Sequence, residues 1–144
     1  MTRNNLITCA LTAGIALGAA HANADPKPAS DHVTIRIDEQ NLHPAVARVK
    51  KGGAVAWLNY ARWKAQVRFP EATASKLSCP DGTHWYKNED GKVASMPIQN
   101  LEYHLPCTLP TGTYEYEVGQ ASSYIGQPGS GESTALLKGK IIVE

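Results

Sequence analysis

The feature that most constrains this chain is a run of short apolar-polar segments broken at close intervals by glycine and proline. In "HVTIRI", Val33, Ile35 and Ile37 fall on one face and His32, Thr34 and Arg36 on the other. That period of two is the signature of a half-buried β-strand. "AVARV" and "AVAWLN" follow, and the Lys50-Lys51-Gly52-Gly53 segment between them predicts a turn, with glycine where positive φ is needed. "AQVRF", "LEYHL", "TYEYEV" and "LLKGKIIVE" complete the strand candidates. No long helical period interrupts them, so the pattern predicts an all-β sandwich or barrel. Between Pro70 and Pro97 the chain is polar and rich in turn signals such as "CPDG" and "NEDG", and its secondary structure is the least legible. "GQPGSGES" reads as a mobile loop from its Gly, Ser and Pro content.

At 144 residues the chain has the length of one domain with room for a real core. Its opening residues, 1–24, read as a secretory signal peptide: one early cation, an apolar run over residues 6–20, and the small-residue pattern Ala22-Asn23-Ala24 before Asp25. The run is shorter than the roughly 20 residues a spanning helix needs, so no stable membrane insertion is expected. Cys9 lies in "LITC", a weak likeness to a lipoprotein processing site, and is expected to leave with the leader. Residues 25–31 then form a flexible, proline-containing lead, and the domain proper spans 32–144. A periplasmic or secreted location follows.

Loss of the leader removes Arg3 and no acid, which leaves 13 Lys/Arg against 13 Asp/Glu. Balanced charge gives no pull toward nucleic acid. Two cysteines remain, Cys79 and Cys107, in a chain bound for an oxidising compartment, and such a pair predicts a disulfide. A metal thiolate at Cys107 is the competing reading.

The pattern "NLHPAVARVKKGGAVAWLN", followed at a distance by "LPTGTYEYEV" and "LLKGKIIVE", resembles the cupredoxins, the plastocyanin-like blue-copper proteins. In that family a Pro-containing strand leads through a basic-Gly turn to a Val-x-Trp/Phe-x-Asn strand, and the chain closes with Gly-x-Tyr-x-Tyr-x-Cys and Gly-Met-x-Gly-x-Ile-x-Val. The resemblance implies an all-β, cupredoxin-like Greek-key β-sandwich, with a long insertion at about residues 71–100 before the penultimate strands.

A blue-copper site holds its metal with two imidazoles, one thiolate and a weak axial thioether. Carried over residue by residue, the first His falls on Ala65, the Cys on Val118 and the axial Met on Leu137. The second His belongs between Val118 and Leu137, where the sequence has no His, Cys or Met. The resemblance therefore implies the fold without its type 1 copper and without a cofactor. His32, His43, His84, His104 and Met96 remain as donors for copper at a non-standard site, though their spacing matches no metal motif.

In cupredoxins the ligand loops form an apex that meets redox partners, and the matching surface here comprises Tyr60, Arg62, Trp63 and Lys64, with Tyr124 from the long loop. Aromatics and Arg are enriched in binding hot spots. Trp63 packed beneath the insertion, with Arg62 and Lys64 merely solvated, is the alternative. His84, Trp85 and Tyr86 offer a second candidate, a stacking platform for a sugar or other planar ligand; packing into a small core of the insertion is its alternative. No nucleophile elbow, zinc-protease motif or phosphate loop occurs, so no enzyme is expected. The expectation is a periplasmic or secreted binding or accessory module whose partner is an unidentified periplasmic protein or small ligand. An electron-transfer or copper-handling protein with non-standard ligands is the second reading.

Overall fold

The computed structural model describes residues 27–88, 91–121 and 136–144. The segment expected to be a leader, Tyr124 and "GQPGSGES" lie outside these residues. Nine strands and one short helix follow in chain order: β1 (Ser30–Ile37), β2 (Leu42–His43), β3 (Val46–Asn59), β4 (Ala65–Pro70), α1 (Glu71–Ala74), β5 (Trp85–Lys87), β6 (Lys92–Ser95), β7 (Tyr103–Thr108), β8 (Gly112–Gln120) and β9 (Leu137–Val143). The expected all-β architecture is what the chain adopts. Its first strand begins at Ser30, inside the segment expected to be a flexible lead, because Ser30 already pairs with Val49.

The Lys50–Gly53 segment does not reverse the chain. One strand of 14 residues runs straight through it. Gly52 has φ 81°, and a Cβ on Gly53 would lie 2.6 Å from the Asp31 carbonyl oxygen, so the pair permits a bend and a close backbone approach rather than a hairpin. The bend changes the strand's partners. Its first part, Val46 to Val49, pairs in parallel with β9, whereas Ala54 to Leu58 lie between parallel β1 and antiparallel β7. From β9 the ladder continues through β8, β4, β6 and β5. A single strand thus joins the β1–β7 ladder to the β9–β8 ladder.

Residues 71–100, the segment expected to be an insertion, are not a loop. After α1 this segment forms the β5–β6 hairpin, whose β6 pairs antiparallel with β4 and widens the sheet at that edge. A disulfide between Cys79 and Cys107, with Cα atoms 4.3 Å apart, ties its first leg to β7. Backbone bonds from Ser78 N to Thr108 O (3.0 Å) and Thr108 N to Ser78 O (2.8 Å) flank that link. The sulfur of Cys107 is used in this bond, so the thiolate reading does not hold.

Trp57 sits fully buried at the centre of the core. Phe69, Trp85, His104 and Tyr116 surround its ring, with centroids 5.8–6.4 Å away and planes near perpendicular. Edge-to-face geometry suits the aromatic quadrupole. Ile35, Ile37, Val49, Val67 and Ile141 fill the space around them.

Candidate functional site

The site begins with register. Val118 on β8 is opposite Val67 on β4 and opposite Leu137 on β9. Ala65 lies two residues before Val67, hence on the same face. The three positions to which the resemblance assigns copper ligands are therefore neighbours at one end of the sheet. Ala65 and Val118 are fully buried, and Leu137 packs against the same core. Their side chains offer methyl, isopropyl and isobutyl groups and no nitrogen or sulfur donor, so these three positions do not fit a copper ion. Most of the segment that would carry the second imidazole lies outside the described residues. Among the described residues, no three His, Cys, Asp or Glu side chains gather as a metal group would require.

The loops around this end are held by Asn59, whose side chain is buried. Its Nδ2 donates to Trp63 O (2.8 Å) and Ile98 O (2.9 Å), and its Oδ1 accepts from the Ala61 N–H (2.9 Å). Both amide protons and the carbonyl are thus used, as burial of an amide demands. Ala65 and Ile98 exchange backbone bonds of 2.9 and 2.7 Å. The loop after β3 and the segment around Ile98 are in this way tied together.

Of the expected docking residues, Tyr60, Arg62 and Lys64 are exposed, and Trp63 packs partly against the core. Tyr60 is 48% exposed, with the Arg36 guanidinium 5.5 Å from its ring centroid. The Arg62 backbone N–H donates to the Glu39 carboxylate at 2.7 Å. Leu101, which sequence reasoning missed, is 66% exposed beside them and has φ 62°. Its N–H donates to Asn59 O (2.6 Å), and Asn100 Nδ2 donates to Ala61 O (2.9 Å). A non-glycine residue at positive φ is uncommon, and here the surrounding bonds hold it. No local signal in "QNLEY" marks it; Asn59, by contrast, stands in the Trp-x-Asn motif.

The His84, Trp85 and Tyr86 platform is divided by the strand that carries it. Successive residues of a strand point to opposite faces. Trp85 turns inward against Trp57, Phe69 and His104, with centroids 6.4, 5.7 and 5.3 Å away. Tyr86 turns outward, where its hydroxyl meets the Met96 sulfur. Burial raises the Tyr86 phenol above its ordinary pKa. No single stacking surface contains both rings.

Several solved structures share this architecture. A Cu(I) form of a Met-to-Ala variant of amicyanin aligns with TM-score 0.52 and 16% identity, over 82% of this chain and 87% of that one. An oxidised Met-to-Lys variant aligns with TM-score 0.53 and 15% identity over the same shares, 82% and 87%. A reduced Trp-to-Tyr variant gives 0.52 at 15% identity. Identity at this level speaks for the fold alone, and the fold is a cupredoxin-like all-β sandwich. No protein-family model matches the chain, and no curated protein matches it in sequence.

Proposed function

We propose that this chain is an exported cupredoxin-fold module that lacks type 1 copper, catalyses no reaction and acts by binding a periplasmic partner through its apex. The observation that carries the reading is the adjacency of Ala65, Val118 and Leu137: the ligand positions of the related fold are filled by carbon-only side chains packed as core. Burying methyl and branched aliphatic groups there stabilises the apex and leaves an approaching cation nothing with which to replace its hydration shell. Loops tied together through Asn59 present Tyr60 and Leu101 to solvent, with Arg62 and Lys64 close by in sequence. These apolar groups stand among charges of both signs, Arg36, Arg62 and Lys64 with Asp38, Glu39 and Glu102, which suits a partner surface apolar at its centre with a polar rim.

Copper titration of the purified protein tests the first half. The expected result is neither a thiolate-to-copper absorption band nor stoichiometric bound metal. Blue colour with one copper per chain would overturn it and return the non-standard-ligand reading. The second half is tested by photocrosslinking from position 60 in cells that export the protein. A discrete adduct that disappears with Leu101→Ser supports the apex as the binding surface; an adduct unchanged by Leu101→Ser, or none, argues against it.

A further inference from the structure

The outward face of the sheet carries a second feature, distinct from the apex loops. A groove of about 380 Å³ lies on it, lined by Arg68, Lys92, Glu115, Glu117, Lys138 and Lys140, with Ala45, Val46 and Pro70 contributing an apolar side. Strand register explains the gathering. Arg68 is opposite Glu117, and Glu117 is opposite Lys138, so one cross-strand row holds a carboxylate between two cations. Lys140 is opposite Glu115 on one side and Val46 on the other.

The charges in the groove do not cancel. Glu117 pairs with Lys92, and Glu115 with Lys140 at 3.6 Å. Among the described residues, neither Arg68 nor Lys138 has an acidic partner. Arg68 reaches only neutral acceptors, Gln66 Oε1 and Gln120 O, both at 3.3 Å, and its buried Nε has no hydrogen-bond partner. A guanidinium is a fork of donors shaped for a planar oxyanion. Leaving one under-satisfied in the same row as Lys138, with the Glu117 between them engaged by Lys92, in a concave site with low-dielectric walls, raises the local affinity for negative charge.

We propose that this groove binds a small organic carboxylate with an apolar body, its carboxylate on Arg68 and Lys138 and its hydrocarbon part against Val46, Pro70 and Ala45. The volume lies at the lower end of small-molecule sites, roughly 300–1,000 Å³, which suits an acid of one ring or a short branched chain. The apolar side favours such a molecule over a bare inorganic oxyanion, which would gain nothing from those residues.

The test is titration of the ¹⁵N-labelled protein with benzoate, with uncharged benzamide and inorganic sulfate as matched probes. Saturable shifts confined to the amides around Arg68, Glu117, Lys138 and Lys140 are expected with benzoate alone. Arg68→Gln should weaken binding by roughly tenfold or more, as expected for loss of a charge-assisted contact. Lys138→Gln should weaken it too, and serves if the Arg68 variant fails to fold; Lys51→Gln, outside the groove, should leave it unchanged. Benzamide or sulfate binding as well as benzoate would overturn the proposal. So would shifts scattered over the surface, no saturation up to about 10 mM, a range spanning very weak affinity, or undiminished binding by Lys138→Gln.

Discussion

The two faces of β8 meet opposite environments within a few ångströms of backbone. Inward, Tyr114, Tyr116 and Val118 are buried at 6%, 2% and 0% exposure; outward, Glu115 and Glu117 stand among lysines and Arg68. On the inner face Val118 closes against Ala65, Val67 and Leu137 as packed core. On the outer face charge is incompletely paired and a groove remains open. The polar side chains buried inside, Asn59, Gln66, Ser95 and His104, stand apart from this strand's inner face, which is aromatic and aliphatic. The insertion sharpens the contrast, because one hairpin sends Trp85 to the inner face and Lys92 to the outer.

Detaching the insertion should therefore disturb both faces at once. Replacing both Cys79 and Cys107 by Ser opens a link across a sequence separation of 28. The expected loss is about 3–4 kcal/mol, on the loop-entropy account. Chemical denaturation of the oxidised protein and the double variant measures it; a loss under about 1 kcal/mol would mean that the hairpin's packing alone anchors it.

Adjacent residues of β5 provide a finer test. Trp85→Ala removes a ring from the aromatic core and should cost about 2–4 kcal/mol, somewhat less than a fully buried tryptophan because Trp85 is only partly enclosed. Tyr86→Ala, one residue away on the outer side, should cost less than about 1 kcal/mol. Equal losses in thermal melts would break the inner-outer distinction.

The smallest effect concerns Tyr116, whose ring covers Gly139 on the neighbouring strand. Burial pushes its phenol well above the ordinary value of 10.0, and the nearby Trp57 N–H offsets only part of that. Its hydroxyl has no hydrogen-bond partner of full geometry. The unfolded chain releases this proton first as pH rises past about 10, whereas the folded chain keeps it, so stability falls with further alkalinity. Tyr116→Phe should be near neutral at pH 7 and should lessen the loss of melting temperature between about pH 9 and pH 11. An alkaline profile identical to that of the parent would show that Tyr116 is not the group responsible.

Legibility followed how local each cause was. The alternation of "HVTIRI" belongs to the strand itself, and its buried residues are those the pattern assigned. The Cys79–Cys107 pairing was legible because few thiols remained to choose among. Lys50–Gly53 misled, since two glycines permit both a hairpin and a bend. What selects the bend is pairing with β1 and β9, distant in the chain. The His84, Trp85 and Tyr86 group misled for a related reason: adjacency in sequence is opposition in a strand.

The sequence by itself determined the strand periods, the carbon-only side chains at Ala65, Val118 and Leu137, and the balance of charge, because each depends on residue identity or on neighbours a few positions away. Only the tertiary structure decided that Leu101 joins the apex, that Trp85 belongs to the core, and that Arg68, Glu117 and Lys138 stand in one row. Those outcomes depend on which strands pair and in which register. A shift of one residue in that register would exchange the two faces of the sheet.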